Sequence, residues 1–186
     1  TRLDDLLGVR FLVAGHRDDR GPYTPPPRYR LVQSTRDVDI WRNDSAYPRF
    51  LNPSRTRALG VGELPDVAAF QATDFATTLW LTPRDQDDLV AGRTAADACT
   101  GQVQVDVRSA TQTRTELHTR SSAPGWVVAG ELDHPGWVAQ VDDTPLPIHR
   151  ANGMFRAVCV PAGEHRLSFA FHPWHMVAYA WQHRQP

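Results

Sequence analysis

The sequence predicts a mainly β chain. A C-terminal antiparallel β-sandwich, jelly-roll or immunoglobulin-like, follows a small mixed α+β N-terminal part. Three observations carry this. From Gly101 onward short apolar-alternating runs succeed one another, Val103, Val105 and Val107 being the clearest. The gaps between runs are a few residues long and hold Pro-Gly, Asp-Asp and Ala-Gly pairs. Fifteen prolines and twelve glycines in 186 residues favour turns over long helices. Short strands with such punctuation point to a sandwich or barrel.

Taken in order, Leu3-Asp4-Asp5-Leu6-Leu7 has a short helical pattern that stops at Gly8. Val9 to Val13 alternates as a strand, and the turn-rich segment from His16 to Pro27 is too polar and Pro-rich to pack. Tyr29–Val32 and Val38–Trp41 read as the two strands of a hairpin, with Tyr47–Leu51 a third strand. Leu64 to Phe75 is helical in pattern, Pro65 being tolerated in a first turn where no amide donor is needed. Thr77–Leu81 is a strand. Thr82 to Cys99 is polar, acidic and poor in large apolar residues, and reads as a linker or surface loop. Beyond it come Val103–Val107, a weaker alternation over Thr111–Arg120, and Trp126–Gly130, apolar throughout as in a strand buried on both faces. Trp137–Val141, Pro147–Arg150, Met154–Val160 and His165–Phe171 complete the set. These boundaries divide the chain into an α+β region over 1–98, a sandwich over 99–175 and a tail over 176–186.

Twenty basic residues, all Arg, stand against twenty-one acidic ones, for a formal charge of −1. That balance gives no electrostatic reason to bind nucleic acid. No apolar run approaches the roughly 18 residues that span a bilayer. The start, Thr1-Arg2-Leu3-Asp4-Asp5, has neither Met nor the basic and apolar regions of a signal peptide, so the chain reads as a piece of something longer. Cys99 and Cys159 form no disulfide framework. Two buried thiols are the favoured reading, because free Cys is among the most buried residue types, with a single bridge as the alternative.

Candidate chemistry is sparse. His172 and His175 are the closest histidine pair, but Pro173 lies between them and no metal motif is present. The adjacent pairs Asp18-Asp19, Asp87-Asp88 and Asp142-Asp143 point to opposite sides of an extended chain, so none is a ready acid–base dyad. Asp142-Asp143-Thr144-Pro145 has the composition of a hairpin turn. There is no Gly-x-Ser-x-Gly elbow and no phosphate-binding glycine loop. No catalytic residue, metal ligand or cofactor is therefore expected in this chain. The binding candidates are Trp137, Arg150, Asn152 and Arg156, although Asn152-Gly153 is also the strongest short hairpin signal available. Trp174 and Trp181 flank an apolar Met176–Ala180 stretch, a combination favoured at membrane interfaces.

His134-Pro135-Gly136-Trp137 with Val141-Asp142, Arg150-Ala151-Asn152 with Phe155-Arg156, and Val160-Pro161-Ala162-Gly163 with His165 resemble, in order and spacing, a signature of YfhO-type bacterial membrane proteins. Leu6-Leu7-Gly8-Val9, Trp41-Arg42-Asn43 and Tyr47-Pro48-Arg49-Phe50 are similar to its weaker upstream elements. The chain departs from it at Tyr47, His134 and Asp143, where Leu, Tyr and Gly are usual. The resemblance, over about residues 3 to 175, implies a polytopic protein akin to glycosyltransferases that use lipid-linked sugars. This chain would be its non-catalytic, soluble extracytoplasmic domain on a bacterial cell membrane. Its expected partners are its own transmembrane domain and a glycan or lipid-linked sugar. An independent carbohydrate-binding sandwich and a glycoside hydrolase are the alternatives.

Overall fold

The computed structural model describes residues 2–16 and 24–182. Most of the Pro-rich segment read as a loop, and the Asp18-Asp19 pair, lie outside them. The chain divides into two compact units, residues 1–49 and 50–186.

The first unit holds helix α1 (Arg2–Leu6) and strands β1 (Phe11–Gly15), β2 (Tyr29–Ser34) and β3 (Val38–Asn43) in an antiparallel sheet of order β1-β3-β2. Gly8 ends the helix at φ 68°, a left-handed turn that costs glycine little. Polar bonds tie α1 to the sheet: Asn43 Nδ2 donates to Asp5 Oδ1 at 2.7 Å, and Arg28 Nη2 to Asp4 Oδ2 at 2.6 Å.

The second unit comprises β4 (Phe50–Leu51), β5 (Arg55–Ala58), α2 (Val67–Ala72), β6 (Thr78–Leu81), α3 (Gln86–Ala98), β7 (Gln104–Ala110), β8 (Arg114–Ser121), β9 (Gly125–Leu132), β10 (Trp137–Val141), β11 (Thr144–Leu146), β12 (His149–Ala151), β13 (Phe155–Val160), β14 (Gly163–Phe171) and α4 (Pro173–Gln182). A five-stranded sheet of order β11-β10-β14-β8-β7 faces a six-stranded sheet of order β4-β9-β13-β12-β6-β5. Leu117, Val141, Leu167 and Phe169 from the first meet Val127, Val158 and Val160 from the second in the main core. The mainly β, sandwich-like fold is thus present, and among the described residues the strands pair antiparallel except β5 with β6, with one isolated parallel bridge between Gly101 and Gly125.

Three readings change. The segment 82–99 is not a linker: it contains α3, capped by Asp85, whose carboxylate accepts from the Asp88 N–H at 2.8 Å. The cap and the acidic first turn favour a helix there. The two cysteines are not free thiols. They form a disulfide with Cα atoms 5.9 Å apart, which joins the C-terminal cap of α3 to β13. The compact units part between Arg49 and Phe50 rather than near residue 98, because β4, β5 and β6 pair into the second unit's sheet. The Ala162-Gly163 turn carries the chain from β13 in one sheet across to β14 in the other.

Two other turns behave as their residues require. Asp142 and Asp143, at φ 47° and 68°, make the two-residue connection of the β10–β11 hairpin. Asn152 and Gly153, at φ 51° and 84°, turn the chain between β12 and β13.

Strand β9 is buried on both faces, as its unbroken apolar run implied. Its partner β13 has Val158 in the intersheet core, while Cys159 on the opposite face is bonded to Cys99. The register Cys159↔Trp126, Ala157↔Val128 and His149↔Ala157 puts these side chains on that same outer face. Helix α3 covers it. Gly92 is the helix residue buried there, and a Cβ at that position would lie 3.5 Å from Leu81 Cδ1 and 3.6 Å from His149 Nδ1.

Candidate functional site

A group of charges in the second unit lies where α3 packs against β6 and β12. Arg84, just before the helix, donates through its backbone N–H to Asp88 Oδ2 at 2.9 Å and through Nη1 to the Ile148 carbonyl at 3.1 Å. Its Nε bonds Asp133 Oδ2 at 3.0 Å, and Nη2 bonds the same oxygen. Asp88 Oδ1 meets His149 Nδ1 at 3.0 Å. Because the carboxylate only accepts, His149 Nδ1 is the donor of this bond. Nε2 of the same ring is buried with no hydrogen-bond partner, as is Nε1 of Trp126, whose ring stands edge-on to His149 at 5.7 Å.

Burial alone would push the Asp88 carboxyl up. Hydrogen bonds from His149 and the Arg84 backbone N–H, with the Arg84 charge beside it, outweigh that and hold Asp88 below the usual carboxylate range. Asp88 and Asp133 are two carboxylates brought together from different elements, as a hydrolase needs. Both, however, are engaged by one guanidinium, that of Arg84. A general acid needs a carboxyl raised toward neutrality, and Asp88 is shifted the other way. The pair is built as a clamp between α3 and the sheet, not as an acid–base couple.

The four binding candidates divide. Arg156 is buried in the sandwich, with its guanidinium 3.6 Å from the centre of the Trp137 ring. Nη1 donates to the Leu132 carbonyl at 2.9 Å, and Nη2 is paired with Glu131. Asn152 is also buried, and its Oδ1 accepts the Trp80 N–H at 3.0 Å, fastening the β12–β13 turn to β6. Arg150 is half-buried and donates through Nε to the Thr82 carbonyl at 3.0 Å. Trp137 and Arg156 are therefore brought together, whereas Arg150 belongs to the α3 seam. There it joins Asp88, His149 and Arg93 in lining a cleft. Sequence reasoning placed His149 near a strand end and gave Asp88 no partner. The acidic first turn behind an Asp cap was the available signal for α3.

His172 and His175 stack at 5.3 Å between ring centres. Among the described residues no group of three or more His, Cys, Asp or Glu side chains is arranged to hold a metal ion.

No family model matches the chain. No curated protein and no solved structure matches it either. The functional reading therefore rests on the chain's own residues.

One surface group has a defined pH response. His165 Nδ1 contacts Asp142 Oδ2 at 2.6 Å, and its Nε2 lies 2.9 Å from the Ala162 carbonyl. The Asp142 bond first, and the Ala162 bond second, raise His165 above its usual 6.5. The His165 bond and the Arg166 N–H lower Asp142 below 3.8. The histidine's contribution to stability is complete below pH 6.5 and is lost as pH rises through its elevated folded value. The aspartate's is complete above 3.8 and is lost as pH falls through its depressed one. NMR titration should find the His165 midpoint above 6.5 in the native chain and nearer 6.5 in Asp142→Asn. An unchanged midpoint in the variant would refute the coupling.

Proposed function

We propose that the chain is a non-catalytic extracytoplasmic domain of a polytopic bacterial membrane protein of YfhO type, held at the lipid surface by α4, and that it positions a glycan for a membrane-embedded transferase. Helix α4 is the observation that carries this. From Pro173 to Gln182 it contains no Lys, Arg, Asp or Glu. Trp174 and Trp181 are 79% and 75% exposed, and Val177 and Tyr179 are exposed as well. A globular helix normally buries an apolar stripe against its own body. This one leaves its aromatic residues in the open, and Trp and Tyr are the residues favoured at the level of lipid headgroups. No described helix is long and apolar enough to cross a membrane.

Two further features support the reading. A buried disulfide is typical of chains that fold in an oxidising compartment, and Cys99–Cys159 has one half fully buried. The residues that carry the resemblance fall on structural positions of the second unit: Pro135-Gly136 before β10, Asn152-Gly153 between β12 and β13, and Pro161–Gly163 between the sheets. A freestanding sugar-binding module is less well served. Trp137, the candidate stacking platform, has a ring face occupied by Arg156.

The test is binding to phosphatidylcholine vesicles. The chain should co-sediment with them and its Trp emission should shift to the blue. Replacing Trp174 and Trp181 by Ser should cut partitioning by about tenfold or more, since each indole buries a large apolar area. Failure of the native chain to bind, or equal binding by the variant, would overturn the role given to α4.

A further inference from the structure

The edge of a sheet presents unpaired N–H and C=O groups to other chains, and proteins blunt their edges with short strands, charges, Pro or bulges. Five outer strands of this chain follow that rule. Strand β2 has a bulge between Leu31 and Gln33, and β7 has one between Val107 and Ser109. Strand β5 presents Arg55 and Arg57, β11 contains Pro145, and β4 is two residues long. Strand β1, Phe11-Leu12-Val13-Ala14-Gly15, does not follow it. It has five residues, no charge, no Pro and no bulge in its register with β3. Phe11 and Val13 are 58% and 62% exposed.

Hydrogen bonds fix which groups of β1 point outward. The Asn43 N–H donates to the Arg10 carbonyl at 2.8 Å, and the His16 N–H to the Asp37 carbonyl at 2.9 Å. Bonding to β3 therefore falls on Arg10, Leu12, Ala14 and His16. Alternation turns the N–H and C=O groups of Phe11, Val13 and Gly15 to the open side. The side chains of Phe11 and Val13 share a face with Ile40 and Arg42. Asn43, whose side chain is bonded to α1, lies on the other face.

We propose that β1 pairs antiparallel with β1 of a second copy of this chain, about a two-fold axis at Val13, joining two three-stranded sheets into one of six strands. The strand is complementary to itself in this register. Phe11 stands opposite Gly15 of the second copy, and a Cβ built at Gly15 meets nothing within 4 Å, so the ring has open space to cover. Val13 and Ile40 of both copies form one apolar row across the seam. The charges agree as well. Arg10 makes no side-chain hydrogen bond or ion pair among the described residues. It stands opposite His16 of the second copy, whose Nε2 is 3.0 Å from Asp39. Arg10, Arg30 and Arg42 with Asp44 leave one end of the sheet positive, whereas Asp37 and Asp39 with Arg36 leave the other negative when His16 is neutral. The two-fold sets the positive end of each copy against the negative end of the other. Five residues a side is well short of the roughly 20–30 of a standard interface, so the dimer is weak. The inference does not depend on α4 or on a membrane.

The test follows the full chain in lipid-free buffer from about 10 µM to about 1 mM by sedimentation equilibrium and amide exchange. A reversible dimer with a Kd of about 0.1–1 mM is expected. Over that range the Phe11, Val13 and Gly15 amides should exchange about twofold or more slowly, while Leu12 and Ala14, bonded to β3 in either state, should not change. Val13→Lys sets like charges face to face on the axis and should weaken the dimer about tenfold or more. Val90→Lys, at a comparably exposed position on α3, should leave it intact. A chain that stays monomeric throughout, or a dimer that tolerates Val13→Lys, would overturn the proposal. If Val13→Lys does not fold, the native chain decides alone: slowing that is equal at odd and even positions of β1, or that spares β1, overturns it.

Discussion

Replacing Cys99 and Cys159 by Ser should destabilise the second unit by about 4 kcal/mol, the loop-closure value for a bridge between residues some 60 apart. For a chain of this length that is a fall of roughly 8–16 °C in the unfolding midpoint. The loss should be distributed unevenly. Helix α3 has few large apolar residues and buries mainly Gly92. It is fastened at both ends: by the disulfide at its C-terminal cap, and at its first turn by the Asp88–His149 bond and the Arg84 clamp. With the first removed, the helix is anchored at one end only. Amide exchange should accelerate most over residues 86–98, and Trp126, wholly buried on the face beneath, should become accessible to a quencher. Strands β8 and β14, paired on the far sheet, should keep their protection. Uniform acceleration across both sheets, or an unchanged midpoint, would show that the bridge does not serve to hold α3.

That helix is also where the sequence was least legible, and the reason is physical. Hydrophobic periodicity reveals a helix when large side chains fill one face. The residue of α3 that meets the sheet closely is Gly92, which adds nothing to such a pattern, and Ala91, Ala95, Ala96 and Ala98 add little. Strand β5 was missed for a related reason. Arg55-Thr56-Arg57-Ala58 is a polar edge strand, paired in parallel with β6, and edge strands carry few apolar residues to mark them. The second half was readable because strands such as β8 alternate, with Thr115, Leu117 and Thr119 buried between less buried neighbours, and because Asp142-Asp143 and Asn152-Gly153 take the positive φ values their turns demand. The cleft was not readable at all. Asp88 and His149 are 61 positions apart, and one of them stood in the segment taken for a linker. The pairing of Cys99 with Cys159 likewise became visible only once α3 was laid against β13.

Arg156 gives the second large effect, and it separates a binding residue from a structural one. The side chain is 1% exposed, stacked on Trp137 at 3.6 Å with Phe169 at 5.5 Å, and paired with Glu131. Taking a cation out of water costs several kcal/mol, which only its partners offset. Glu131→Ala removes one of them and should cost about 3–5 kcal/mol, because the guanidinium stays buried without that carboxylate. Arg156→Met should cost much less. It retains an apolar stem against Trp137, and the Glu131 carboxylate, whose side chain is 22% exposed, can turn to water. Combining Glu131→Leu with Arg156→Met should recover most of the Glu131→Ala loss, since a well-packed apolar pair often equals a buried ion pair. Urea unfolding of the variants measures this ordering. If Glu131→Ala proves mild, the cation already reaches solvent, and Arg156 returns as a ligand-facing group. If the ordering holds, Arg156 and Trp137 are parts of the sandwich's interior, and Arg150 is the candidate left at a surface where a ligand can reach it.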